Sequence, residues 1–161
     1  MGTLPPAFDP KGTITAANAS SLNDGACTLL LGNEKFKEKA GYKIVAYASH
    51  AQDPLWFTTA PVTAMENALK KAQLSWNDMD AFEINEAFAV VVLSAIKDCT
   101  LDKSKVNMWG GAISLGHPIG CSGTRIILTL MSILKHHQKR RGMATLCIGG
   151  GEALAMIIER L

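Results

Sequence analysis

Short apolar runs of strand length alternate along this chain with segments whose apolar residues recur at helical spacing, a rhythm compatible with few architectures. After Asn23-Asp24-Gly25, residues 26–31 form an apolar run of strand length. Residues 35–39 read as a solvated charged turn or short helix, and residues 43–49, with Val45 and Tyr47, alternate enough to form a strand. Pro61 suits a first helical turn. Val62, Met65, Ala68, Leu69 and Ala72 follow on one face and predict a helix ending near Gln73. Residues 81–84 read as a short strand, and Asn85 stands where it can cap a helix over 86–97, with Glu86 as an acid in its first turn. A loop holding Gly110, Gly111, Gly116 and Gly120 opens a helix near Ser122 so apolar that it must be largely buried. Lys135, His136, Lys139, Arg140 and Arg141 crowd its end, where cations complement the helix dipole, and Gly142 suits its stop. Residues 143–148 and 153–158 are apolar strands separated by Gly149-Gly150-Gly151, a triplet suited to a tight hairpin. The predicted fold is an α/β layer with a mostly parallel sheet closed by an antiparallel pair.

Composition removes several classes of function. A chain of 161 residues that is 48% hydrophobic can bury a core, so disorder is excluded. Sixteen Lys and Arg against fourteen Asp and Glu give a charge of +2, too balanced to grip nucleic acid or an anionic membrane surface. The longest apolar stretches fall short of the roughly 20 residues needed to cross a bilayer, and no start resembling a signal peptide is visible, so the expectation is a soluble intracellular protein. Cys27, Cys99, Cys121 and Cys147 form no Cys-x-x-Cys pair and no dense framework, which argues against disulfides and structural zinc and for cysteines that work as thiols.

Sheets of this kind place ligands at the carboxyl ends of their strands. Three unusual segments meet that edge: the turn at Asn85, the glycine loop around His117 and the turn from Cys147 to Gly151. His117, between Gly116 and Pro118, is either a structural histidine or a base tuned toward its neutral form by the positive helix end. Cys147 is either a small buried hydrophobe or a thiol placed beside bare backbone, where the amides of Gly149 and Gly150 can donate to a developing oxyanion. Asn85 either caps a helix or offers amide donors that fix a water or polarise a carbonyl. The loop has neither a dinucleotide fingerprint nor the lysine of a P-loop. A metal site from His117, Cys121 and Cys147 lacks an evident fourth ligand, so no metal and no cofactor is expected.

Together, Asn85-Glu86-Ala87-Phe88-Ala89, Gly110-Gly111-Ala112 leading to Gly116-His117-Pro118-Ile119-Gly120-x-Ser122-Gly123, and Cys147-Ile148-Gly149-Gly150-Gly151 resemble the ordered motifs of thiolases. The upstream run Thr15-Ala16-Ala17-Asn18-Ala19-Ser20-x-Leu22-Asn23-Asp24-Gly25-Ala26 is similar to that family too. The resemblance covers nearly the whole chain and is to the C-terminal portion of the family. It implies a thiolase-like C-terminal half, a mixed, mostly parallel sheet with helices on both faces, and an acyltransferase that condenses or cleaves coenzyme A thioesters such as acetyl-CoA and acetoacetyl-CoA. By resemblance, His117 activates a nucleophilic cysteine and helps form an oxyanion hole, and Asn85 positions the water completing that hole. Cys147 is the acid/base cysteine, and Gly149 is a donor of the second hole. Ser20, Ala87 and Phe88 contact the pantetheine arm, and Phe57 stands at the acyl pocket.

The resemblance further implies that residues 1–33 are a remnant of the lid and last strand of an N-terminal half, and that residues 34–161 are the C-terminal domain. The nucleophile then belongs to an N-terminal half, possible in another chain, since Cys27 and Cys121 stand where the family has small residues. The expected segment 23–33 must fold back, pair with another chain or fray. A homo-oligomer is implied, in mitochondria or cytoplasm. The competing expectation is a non-catalytic module that binds coenzyme A or another protein.

Overall fold

The computed structural model describes residues 2–161. Its centre is a four-stranded sheet of β1 (Tyr42–Ala51), β2 (Ala81–Ile84), β3 (Arg141–Cys147) and β4 (Glu152–Arg160), in the order β1-β4-β3-β2. Four α-helices accompany it among the described residues: α1 (Ala60–Ala72), α2 (Ala89–Asp98), the single turn α3 (Ala112–Leu115) and α4 (Ser122–His136). Pro61 lies in the first turn of α1, where its missing N–H costs nothing, and Gln73 ends that helix in the left-handed region at φ 54°.

Alternation along the strands builds two cores. Phe82, Ile84, Met143, Ala153, Ala155 and Ile157 face α1 and α2, and pack with Met65, Leu69, Val91 and Ala95. Ala81, Ala144 and Ile158 face the other way, onto Ile126, Leu130, Ile133 and Leu134 of α4. Helices therefore cover both faces, as the resemblance implies.

The strand pairing differs from the mostly parallel expectation. Only β2 and β3 are parallel, joined across α4, whereas β3–β4 and β1–β4 are antiparallel. A rhythm of strands and helices fixes faces but not strand order. Here the hairpin puts β4 beside β3, and β1, earliest in the chain, pairs with the far edge of β4.

Three local expectations also change. Residues 26–31 form no strand, because no sheet edge of this chain reaches them, and Leu30 is 99% exposed. The helix after β2 begins at Ala89 rather than at Glu86. Phe88 instead pairs with Ala19, and the Ala89 N–H donates to Asn18 O at 2.9 Å, which holds the preceding backbone extended. Gly142 does not stop α4. It lies within β3, where a Cβ would sit 2.5 Å from Leu130 Cδ1 and 3.0 Å from Ala81 O. Lys135 and His136 of the basic run stand in the last turn of α4, as expected, while the arginines beyond it anchor the sheet: the N–H groups of Arg140 and Arg141 each donate to the Asp80 carboxylate at 3.0 Å, and both side chains pair with Glu159. Among the described residues, no helix is long and apolar enough to cross a membrane.

Candidate active site

Asn85 immediately follows β2, and its N–H donates to Thr145 O at 3.0 Å, extending the pairing with β3 by one residue. That register places Cys147 two residues further along the neighbouring strand. Asn85 is fully buried and is not a helix cap; Glu86, Ala87 and an extended Phe88 separate it from α2. Its Nδ2 lies 3.4 Å from His117 Nε2, and its Oδ1 accepts from Arg125 Nη2 at 3.5 Å. A cation on the oxygen side of the carboxamide turns the nitrogen toward the histidine.

His117 is held from three sides. Its N–H donates to Ser21 O at 2.8 Å, pairing Leu22 with the loop, and Gly116 reaches it through φ 91° with Asn23 packed where a Cβ would go. Its Nδ1 lies 2.6 Å from Ser122 Oγ, and that hydroxyl donates to Pro118 O at 3.1 Å. With its only proton committed to Pro118, Ser122 accepts from Nδ1–H, which leaves the Nε2 lone pair directed at Asn85. Burial, with the Arg125 charge behind it, holds the imidazole below the ordinary histidine pKa, so the ring is neutral at pH 7.

Cys147 ends β3 buried, on the sheet face shared with α1 and α2, and burial pushes its thiol up. No hydrogen bond among the described residues joins its sulfur to His117 or Asn85. Beyond it, Ile148 N–H donates to Glu152 O at 2.7 Å and Gly151 N–H to Ile148 O at 3.1 Å, closing the expected hairpin. The amides of Gly149 and Gly150 donate to no acceptor among the described residues, and both glycines are exposed. Two N–H groups thus stand free at the strand end.

The other four candidates meet on the α2 side. Ser20 donates to Ala87 O from its N–H at 3.0 Å and from its hydroxyl at 3.1 Å. Phe57 meets Phe88 edge to face, with ring centroids 6.2 Å apart. A concavity of about 470 Å³ where β1 ends and β4 begins is lined by Ser49, His50, Ile148 and Leu154 and includes none of the eight candidates.

Sequence reasoning missed several participants. Phe8 stacks edge to face on Phe88 at 5.7 Å. Glu86 is not a first-turn helix acid; its carboxylate accepts from Ile113 N–H at 3.0 Å and Asn107 Nδ2 at 3.3 Å, tying the Asn85 turn to α3. Buried Glu83 and half-buried Arg125 form a pair behind Asn85, with 3.8 Å between Nη1 and Oε2, and Glu83 Oε1 and Arg125 Nε and Nη1 make no hydrogen bond among the described residues. A charge inside the apolar strand 81–84 and another inside the apolar helix were the available signals. Burial pushes the Glu83 carboxyl up to about 8, against the pull of Arg125 and with a contribution from Glu86. A raised folded pKa supplies stability that is full below the usual carboxylate range and lost as pH rises through about 8. Glu83→Gln should therefore change unfolding free energy by no more than about 1 kcal/mol at mildly acidic pH and gain on the wild type as pH rises toward 8, measured by urea titration at several pH values. Among the described residues, no three His, Cys, Asp or Glu side chains cluster to hold a metal ion.

Comparison with known proteins gives the family and the fold. The family model for the thiolase C-terminal domain matches residues 38–160, and that for the thiolase N-terminal domain matches residues 1–35. The chain belongs to the thiolase family. It is 48% identical to an acetyl-CoA acetyltransferase of Escherichia coli, over 100% of this chain and 42% of that protein. Among solved structures it resembles a Bacillus anthracis acetyl-CoA acetyltransferase, with a TM-score of 0.95 and 44% identity over 99% of this chain and 42% of the other. It also resembles human mitochondrial 3-ketoacyl-CoA thiolase in complex with CoA, with a TM-score of 0.91 and 40% identity over 99% of this chain and 42% of the other. The chain thus spans about two fifths of the length of the relatives it matches.

Proposed function

We propose that this chain supplies one side of a coenzyme A thioester site in a thiolase-type acyltransferase that condenses two acetyl units or cleaves acetoacetyl-CoA. The observation that carries this reading is the buried Asn85 amide directed at a neutral His117, whose unprotonated Nε2 faces that amide. Nε2 takes the proton of an incoming nucleophile, and the Asn85 amide fixes the water that completes an oxyanion hole. Cys147 exchanges the α-proton, and the free amide of Gly149 stabilises the enolate oxygen formed beside it. Ser20, Ala87 and Phe88 carry the pantetheine arm, with Phe57 bounding the acyl group through its contact with Phe88.

The acyl-accepting nucleophile in this reading lies outside these 161 residues. Burial pushes the Cys99 thiol up to about 12 and also raises Cys147, and the hydrogen bond with Cys121 raises Cys27, so none of these three has the depressed pKa of an activated thiol, while Cys121 is buried against Cys27. In this reading residues 1–33 are a remnant of the lid and last strand of the nucleophile-bearing half, and residues 34–161 are the C-terminal domain.

The test is a cleavage assay with acetoacetyl-CoA and coenzyme A. The chain alone should give no detectable turnover, and adding a nucleophile-bearing thiolase half should restore it in a Cys147-dependent manner. Turnover by the chain alone, abolished by Cys147→Ser and insensitive to the added half, would overturn the assignment. Binding of acetyl-CoA without restored turnover, seen by calorimetry, would favour a coenzyme A binding module instead.

A further inference from the structure

We infer that Cys27 and Cys121 form a dithiol site that reacts with small disulfides, closing a reversible cross-link between the N-terminal segment and the start of α4. This is independent of the proposed acyl transfer. The two residues are 94 positions apart, yet their sulfurs lie 3.1 Å from each other, with Cys121 donating to Cys27.

The apposition does not depend on the sulfurs themselves. Leu22 pairs with His117, and the Ser21 carbonyl accepts from the His117 N–H. Gly25 is pressed so closely on Pro118 that a Cβ there would lie 2.8 Å from the ring carbons. Cys121 itself is fixed as the residue preceding α4, with its N–H donating to Pro118 O at 2.8 Å. Both thiols are therefore delivered by packed backbone, and bonding requires the sulfurs to close by only about 1 Å.

Access sets the order of events. Cys27 is half-buried and Cys121 is buried, so a small disulfide such as oxidised glutathione meets Cys27 first. The Cys27 thiolate attacks one glutathione sulfur, breaking the glutathione disulfide and releasing one glutathione thiolate, which takes up a proton. The Cys121 thiolate then attacks Cys27 Sγ in the mixed disulfide, forms the Cys27–Cys121 bond and expels the second glutathione, which takes up the second proton. Two protein thiols are oxidised and one glutathione disulfide is reduced. The hydrogen bond with Cys121 raises the Cys27 thiol above its usual pKa while Arg125 pulls it down, so the attacking species is a minority thiolate. The remaining thiols lack such a neighbour: Cys99 and Cys147 are buried in the core on the α1–α2 face.

The product buries no new charge and leaves the Asn85–His117 contact in place. It fastens the stretch with exposed Leu30 and Leu31 to the turn that precedes Ser122, the residue holding His117 Nδ1.

The experiment incubates the folded wild-type chain with oxidised glutathione, blocks remaining thiols by alkylation and maps disulfides by mass spectrometry after trypsin. Trypsin places Cys27 in peptide 12–35, Cys121 in 106–125, Cys99 in 98–103 and Cys147 in 142–160. The 12–35/106–125 link should exceed every other pair at least about tenfold, and this preference should vanish in concentrated urea. Cys121→Ala should leave a persistent glutathione adduct on Cys27. Stable adducts on Cys27 in the wild-type chain without the link, or links to Cys99 or Cys147 of equal abundance, would overturn the inference.

Discussion

Replacing His117 with alanine, in the chain completed by a nucleophile-bearing half, should lower kcat/KM for acetoacetyl-CoA cleavage by about a thousandfold without unfolding the protein. The magnitude follows from removing a positioned base and an oxyanion donor together. His117 is half-buried and outside both main core clusters, so its loss forfeits two polar contacts rather than packing. Asn85→Ala should cost a comparable factor, and the double variant little more than either single one, because the amide and the ring act on one oxyanion. The pH profile supplies a second reading. His117 must be neutral to accept a proton, and burial lowers its pKa, so the acidic limb should fall below the ordinary histidine value. Cleavage needs Cys147 protonated to return the α-proton, and burial raises that thiol, so the alkaline limb should lie above the ordinary thiol value. His117→Ala should abolish the acidic limb in steady-state assays across pH. Full activity in the variant, or an acidic limb that survives it, would remove His117 from the mechanism.

The site was legible in sequence where chemistry and backbone punctuation coincide. His117 stands beside a glycine that needs φ 91°, and Cys147 precedes a glycine triplet that closes a hairpin, so both could be singled out without coordinates. Asn85 was legible as a polar residue at a strand end, but its cap-like setting pointed to the wrong partner; its buried amide faces His117 from 32 residues away. Glu83 and Arg125 illustrate the same gap, since their meeting depends on α4 crossing the face of β2 that carries Ala81. Periodicity gave the helices and their faces because burial of an amphipathic stripe is a local demand. The antiparallel placement of β1 on β4 is non-local, and nothing in the alternation of residues 43–49 specifies it. The apolar run at 26–31 shows the converse, because a strand needs a partner edge as well as a strand-like composition.

Gly151→Ala should be the most damaging single-methyl change at the hairpin that carries Gly149. Gly151 has φ 98°, a conformation an alanine rarely adopts, and its missing side chain is what lets the hairpin end lie on the turn at 52–54. A Cβ would run into Gln52 O and meet Pro54 N at 3.1 Å and Pro54 Cα at 3.2 Å, all of it backbone that cannot swing aside. The same contact is cemented by Gln52 N–H donating to Gly151 O at 3.1 Å, so relieving the clash also breaks that bond. Left-handed strain, overpacking and a lost hydrogen bond together should cost about 3 kcal/mol or more, lowering the melting temperature by roughly 10 °C for a chain of this size. Gly149→Ala is the internal control, because no atom lies within 4 Å of its Cβ position and its φ is outside the left-handed region. It should melt with the wild type. The contrast bears on function as well as stability: the Gly149 and Gly150 amides are fixed donors for an oxyanion only while the 52–54 turn pins the residue after them. A Gly151→Ala chain should therefore lose acetyl-CoA affinity even at temperatures where it remains folded, as read by calorimetry. If it melts within about 2 °C of the wild type, the turn at 52–54 is not what holds the hairpin, and the oxyanion role of Gly149 loses its structural support.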